Sequence, residues 1–205
     1  MKTILQLNSS IFSDGGQSTT LANELVAQLR EHGADIIRRD LARDPVPHLD
    51  AERFAAFISP TEKRTSGQEQ VVAYSDGLIA ELKRADIIVI GLPMYNFGLP
   101  STLKAYFDHV ARAGVTFRYT DKGSVGLLAG KKAYVVAARG GFYAGKPSDT
   151  QSAYVRDFLA FLGITDVEFV YAEGLAVGDA QRTAALANAR RRIEDLIDMQ
   201  VPAVA

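Results

Sequence analysis

The sequence predicts an α/β fold: a five-stranded parallel sheet in the order 2-1-3-4-5 with helices on both faces, formed by residues 1–205 as one domain. Three observations lead there. Strand-like and helix-like patterns alternate along the chain, and right-handed crossovers then make the strands parallel and set each helix against the sheet. The stretch Asp86-Ile87-Ile88-Val89-Ile90-Gly91 is a continuous β-branched run, the mark of a central strand buried on both faces. The 205 residues are 47% hydrophobic and 23% charged, a globular mixture long enough to bury a core without metal or disulfide.

The elements follow in order. Thr3 to Leu7 reads as strand one. After Ser18-Thr19-Thr20, an N-cap-like start, Leu21, Leu25 and Leu29 recur every four residues, so an amphipathic helix runs to Gly33. Ile36-Ile37 marks a short second strand. A long connection with Pro45, Pro47 and Pro60 follows, with room for a helix over Asp50 to Ile58, and a second long helix runs from about Ser66 to Arg84. Beyond the β-branched strand, Leu103, Phe107 and Val110 mark a helix face, and Lys132 to Ala138 makes strand four. A helix around Tyr154 to Leu162, a strand from Val167 to Tyr171 and a helix from about Asp179 to Met199 complete five strand-helix units.

Composition removes several function classes. With 23 basic against 24 acidic residues the formal charge is −1, which gives no electrostatic footprint for nucleic acid or an anionic membrane. Without cysteine there is no disulfide, thiol catalysis or zinc finger, and His32, His48 and His109 have no partner at metal-ligand spacing, so no metal is expected. No apolar run reaches the roughly 18 residues of a membrane span. Met1-Lys2 runs at once into a strand pattern rather than a leader, so the expected location is cytoplasmic.

In an open parallel sheet, ligands bind beyond the carboxyl ends of the strands, near the point where strand order reverses. Three loops lie there. Asn8 to Thr20 is dense in hydroxyls and glycine and leads into a helix, which suits a phosphate held by amides and hydroxyls; it equally suits capping and turn chemistry. No Walker lysine and no G-x-G-x-x-G is present, which argues against a nucleoside triphosphatase or a dinucleotide fingerprint. Pro93-Met94-Tyr95-Asn96-Phe97-Gly98-Leu99-Pro100 places aromatic rings and a thioether at a strand end; these wall a flat conjugated ligand such as a flavin or plug the sheet edge. Ala138-Arg139-Gly140-Gly141 lets a ligand approach bare backbone, or forms a tight turn.

Taken together, Pro93 to Phe97, Pro100, Leu103-Lys104 and the run Arg112 to Tyr119 resemble the FMN-dependent, NADH-using azoreductases, the quinone-reducing branch of the flavodoxin-like superfamily. Ser9-Ser10, Gln17-Ser18, Arg139-Gly140-Gly141, Phe161 to Ile164 and Ala172-Glu173-Gly174 add to the resemblance, which spans nearly the whole chain. It implies a flavodoxin-like three-layer sandwich. It implies further that Ser10 and Gly16-Gln17-Ser18 hold the FMN phosphate, that Met94, Tyr95, Asn96 and Phe97 lie against the isoalloxazine ring, and that Ala138, Arg139, Gly140 and Gly141 meet its polar edge. The family is homodimeric with the flavin near the interface, so Tyr119 and Phe161 are expected to wall the substrate pocket.

The activity implied is ping-pong reduction of quinones and aromatic azo compounds by NADH through non-covalently bound FMN, with no catalytic side chain required. A flavodoxin-type electron carrier is the alternative, and the near-neutral charge argues against it. The sequence departs from the family at Ala138, where a small hydroxyl residue is common, and at His109, where an aliphatic one is.

Overall fold

The computed structural model describes residues 2–31 and 33–199; His32 lies outside them. The central sheet contains β1 (Thr3–Asn8), β2 (Asp35–Asp40), β3 (Ile87–Pro93), β6 (Lys132–Ala138) and β7 (Asp166–Ala172), all parallel, in the order β2-β1-β3-β6-β7. With β6 and β7 as the fourth and fifth sheet strands, this is the predicted order. The intervening strands β4 (Phe117–Thr120) and β5 (Gly123–Gly126) form a separate antiparallel hairpin that the sequence reading did not contain.

The helices are α1 (Gln17–Glu31), α2 (Ala51–Ile58), α3 (Ser66–Arg84), α4 (Ser101–Val110), α5 (Thr150–Phe161) and α6 (Asp179–Asp198). Their ends have identifiable causes. Asp50 caps α2 by accepting from the Arg53 amide, and Thr65 and Gln68 form a reciprocal capping box at the start of α3. Helix α1 starts one residue before Ser18, so Ser18 and Thr19 sit inside its first turn rather than at the predicted cap.

Period-two alternation in the strands divides the core. Leu5, Leu7, Ile88, Ile90 and Val135 point to the face packed with Phe107 and Leu159, while Ile4, Val89, Tyr134 and Val136 point to the face packed with Leu21, Leu25 and Ile193. Each fully buried leucine on α1 contributes about 1.5–3 kcal/mol by leaving water, so its apolar stripe fixes α1 beside β1 and β3. Among the described residues no helix is long and apolar enough to cross a membrane, and no group of His, Asp or Glu could hold a metal ion.

Candidate functional site

The strand order reverses between β1 and β3: the chain leaves β1 towards β2 and returns to pair β3 on the opposite side of β1. Ser9 ties the two strand ends together, donating to the Gly91 carbonyl from its amide at 3.2 Å and its hydroxyl at 2.7 Å. Above this junction lies a cavity of about 410 Å³, inside the roughly 300–1,000 Å³ range of small-molecule sites. A cleft of about 470 Å³ at the other end of the strands is lined by Lys2, Asp86, Lys131, Lys132 and Asp166. Lys132 and Asp166 pair with each other there, and Lys131 caps carbonyls at the end of α3, so two of the three lysines in that cleft are already engaged.

Ser10, Gly16, Gln17 and Ser18 form one wall of the switch-point cavity. A Cβ on Gly16 would fall 2.2 Å from Ser10 Oγ, so the wall is a concavity that only glycine leaves open. The Ser18 hydroxyl on this wall and the Thr19 hydroxyl behind it are buried without a partner, and the amides of Gln17, Ser18 and Thr19 have no acceptor among the described residues, whereas the Thr20 amide donates to the Gly16 carbonyl. Aligned peptide dipoles give this end of the helix a partial positive charge.

Met94 and Tyr95 form the facing wall. Tyr95 also links the two loops: its hydroxyl accepts from the Ile11 amide at 3.2 Å and lies 3.4 Å from Ser10 Oγ. Asn96 and Phe97 stand beside the cavity as the central residues of a tight turn closed by two hydrogen bonds between Tyr95 and Gly98. Both have positive φ, 49° and 65°, as the mirror-image hairpin turn demands. For Phe97 that conformation costs on the order of 1–2 kcal/mol, and neighbouring bonds hold it. Thr150 Oγ1 donates to the Phe97 carbonyl at 2.6 Å, and Gln151 Nε2 donates to the carbonyls of Pro93 and Gly98.

Ala138, Arg139 and Gly140 close the floor. The Arg139 side chain is turned inward, wholly buried, and all five of its N–H groups are engaged by Gln151, Asp149, Glu173 and Ser152. What this loop offers the cavity is backbone: the amides of Gly140 and Gly141 have no acceptor among the described residues. Gly141 itself packs against the Tyr143 ring at the side of the cavity. Glu173 Oε1 accepts from Arg139 and from the amides of Tyr143 and Ala144, which pins the following loop.

Tyr119 and Phe161 lie outside this cavity. Tyr119 is 75% exposed on the hairpin, edge-on to Phe117, and Phe161 ends α5 against the same ring. Conversely, Phe12, Gly15, Leu175 and Arg182 line the cavity without having been singled out from sequence, and Pro93 of the aromatic loop lines it too. Phe12 and Gly15 belong to the loop already identified by composition; Leu175 and Arg182 come from beyond β7, whose carboxyl end also faces this edge of the sheet.

A doubly wound sheet with a hydroxyl-lined helix N-terminus and an aromatic loop at its switch point defines the flavodoxin-like class, and the family model described as flavodoxin-like fold matches residues 2–197. The chain is 55% identical over 199 residues to an FMN-dependent NADH:quinone oxidoreductase of Cellvibrio japonicus, covering 96% of this chain and 99% of that one. It is 58% identical over 195 residues to FMN-dependent NADH:quinone oxidoreductase 6 of Burkholderia lata, covering 94% and 98%. Among solved structures, an FMN-dependent NADH-azoreductase of Bacillus anthracis in complex with FMN superposes with a TM-score of 0.89 at 29% identity, covering 98% of this chain and all of that one. The chain belongs to the FMN-dependent NADH:quinone oxidoreductase and azoreductase family.

Proposed function

We propose that this chain reduces quinones and aromatic azo compounds with electrons from NADH, in a ping-pong cycle at the switch-point cavity. When bound, FMN supplies reversible two-electron chemistry, taking hydride from the nicotinamide and passing it to the acceptor. The observation that carries the reading is the glycine-built cradle at Gly16 with its unpartnered Ser18 hydroxyl: a concave wall of amide and hydroxyl donors without a carboxylate fits a phosphate.

Ser10, Gly16, Gln17 and Ser18 hold the phosphate in this reading. Met94, Tyr95, Asn96 and Phe97 flank the ring, and the free amides of Gly140 and Gly141 donate to its polar edge. Ala138 and Arg139 contribute the shape of the floor rather than side-chain bonds, since Ala138 has no hydroxyl and Arg139 is already saturated. No side chain is assigned a proton-transfer role; protons for the product come from water.

The protein acts as a homodimer in the same reading, with Tyr119 and Phe161 walling the substrate pocket of the opposite subunit. The exposed hydrophobic residues Tyr119, Val125 and Leu127 on and beside the hairpin support it.

One cuvette tests the cycle. The protein is incubated with FMN, desalted and examined by visible absorption, then given NADH anaerobically, then a quinone. Retained flavin bands that bleach with NADH and return with quinone are expected. Retained bands that never bleach favour the electron carrier, and failure to retain flavin overturns the assignment.

A further inference from the structure

A phosphate monoester carries about 1.5 to 2 negative charges at neutral pH, yet the first loop from Asn8 to Thr20 contains no lysine or arginine. Arg43 reaches that loop only to pair with Asp14 at 2.7 Å. Two arginines line the cavity. Arg139 is neutralised by Asp149 and Glu173, whereas the guanidinium of Arg182 has no carboxylate or other acceptor among the described residues.

The packing of α1 and α6 accounts for its position. Both helices cover the same face of the sheet, where Leu21 and Leu25 share a core with Ala189 and Ile193. Both follow parallel strands, so they run in the same direction. Their register is pinned by a two-point ion pair between Arg190 and Glu24, each contact 2.9 Å. Arg182 stands eight residues before Arg190 and Gln17 seven before Glu24, which at 1.5 Å per residue is about 12 and 10.5 Å back along the two axes. The first turns of α6 and α1 therefore stand level, and Arg182 flanks the Gln17-Ser18 cradle.

We propose that Arg182 is the cationic half of the phosphate site, reaching from α6 across the group held by the first turn of α1. The inference rests on the FMN reading above. Amides and hydroxyls fix the oxygens but leave the net charge; an exposed, unpaired guanidinium compensates it with charge-assisted bonds. The compensation is supplied about 165 residues after the cradle in sequence, which is why no local phosphate motif contains it.

The test measures flavin binding to reconstituted wild type, R182Q and R182K by flavin fluorescence on dilution, at low and high ionic strength, with FMN and with riboflavin, which has no phosphate. R182Q is expected to weaken FMN about tenfold at low salt, less at high salt, and to leave riboflavin unchanged; R182K retains most of the FMN affinity. Equal FMN affinity in R182Q and wild type overturns the proposal. So does unchanged FMN affinity with a raised KM for NADH, which would assign Arg182 to the dinucleotide's phosphates instead. Equal weakening of FMN and riboflavin overturns it too, as a loss of cavity shape rather than charge. Wild type that binds neither flavin would instead overturn the FMN reading itself.

Discussion

Arg139 and Asp149 meet in a two-point ion pair within the protein, Nη1 to Oδ2 and Nη2 to Oδ1, both at 3.0 Å. The pair joins the end of β6 to the N-cap of α5, since Asp149 also accepts from the Ser152 amide. Burial alone would raise the Asp149 pKa, but the guanidinium and the Ser152 donors outweigh it and hold the carboxyl below its ordinary value of 3.8. The contribution is therefore complete above that value and is lost as pH falls through the lower folded one. Arg139→Ala leaves the part-buried carboxylates of Asp149 and Glu173 with only their donors from Ser152, Tyr143 and Ala144, at an expected cost of about 2–4 kcal/mol in urea unfolding at pH 7. Arg139→Lys should fall between, because an ammonium has three donors where the site uses five. A loss below about 1 kcal/mol for the alanine variant would mean the network does not anchor this edge.

Gly16→Ala tests the cradle. Its Cβ would lie 2.2 Å from Ser10 Oγ and 2.5 Å from Ser10 Cβ. Ser10 is not free to yield, since its Oγ accepts from the Phe12 amide and lies beside the Tyr95 hydroxyl. Gly16 and Ser10 are both buried, so unfolding should cost about 1–3 kcal/mol while FMN affinity drops about tenfold or more. Adding Ser10→Ala should give only partial relief, because the Cβ contact remains; Ser10→Gly should relieve the whole steric part. Unchanged FMN affinity in Gly16→Ala would show that the concavity is not where the phosphate sits.

The sheet was legible because its signals are local and redundant. Ile87 to Gly91 is apolar without a break, and α3 lies over Ser66–Arg84 as the helical pattern indicates. The hairpin was not legible. Its strands have four residues each, five of those eight positions are exposed besides two at intermediate depth, and no alternation marks a buried face. Arg139 illustrates the second limit. An arginine before two glycines at a strand end reads as a ligand contact, but its acceptors at 149, 151, 152 and 173 become neighbours only once α5 and β7 have packed. Arg182 is hidden for the same reason, since its relation to Gln17 exists only through the alignment of α1 with α6.

His109 gives a pH dependence of stability. Its imidazole is fully buried, edge-on to the rings of Phe57 and Tyr74, with neither nitrogen in a well-aligned hydrogen bond and the Pro47 backbone as a polar neighbour. Burial first, then the nearby Arg53 charge, lower its pKa below the ordinary 6.5, against the Pro47 backbone and the opposing fields of Asp108 and Asp50. The folded protein resists protonation where the unfolded chain accepts it, so stability is flat above about pH 6.5 and declines as pH falls towards the lower folded value. His109→Leu should remove that slope and raise stability at pH 7 by about 1–2 kcal/mol, as an unsatisfied polar ring is replaced by an apolar group. Urea midpoints at pH 7.5 and 5.5 measure it; an unchanged slope in the variant would place its origin elsewhere.

Gly126→Ala separates the hairpin from the cavity. A Cβ there would fall 2.0 Å from the Gly163 nitrogen and 2.1 Å from the Leu162 carbonyl carbon. Both are backbone atoms and cannot rotate away. The contact sits where the hairpin meets the end of α5, beside the bond from the Leu128 amide to the Leu162 carbonyl at 2.9 Å. The hairpin must therefore lift, at a cost of about 1–3 kcal/mol, and Tyr119 moves with it. Since no cavity wall derives from the hairpin, flavin content should stay near that of wild type while kcat/KM for the quinone falls. Loss of flavin in step with activity would instead mean that the hairpin supports the cofactor site, and full activity would remove Tyr119 from the substrate pocket.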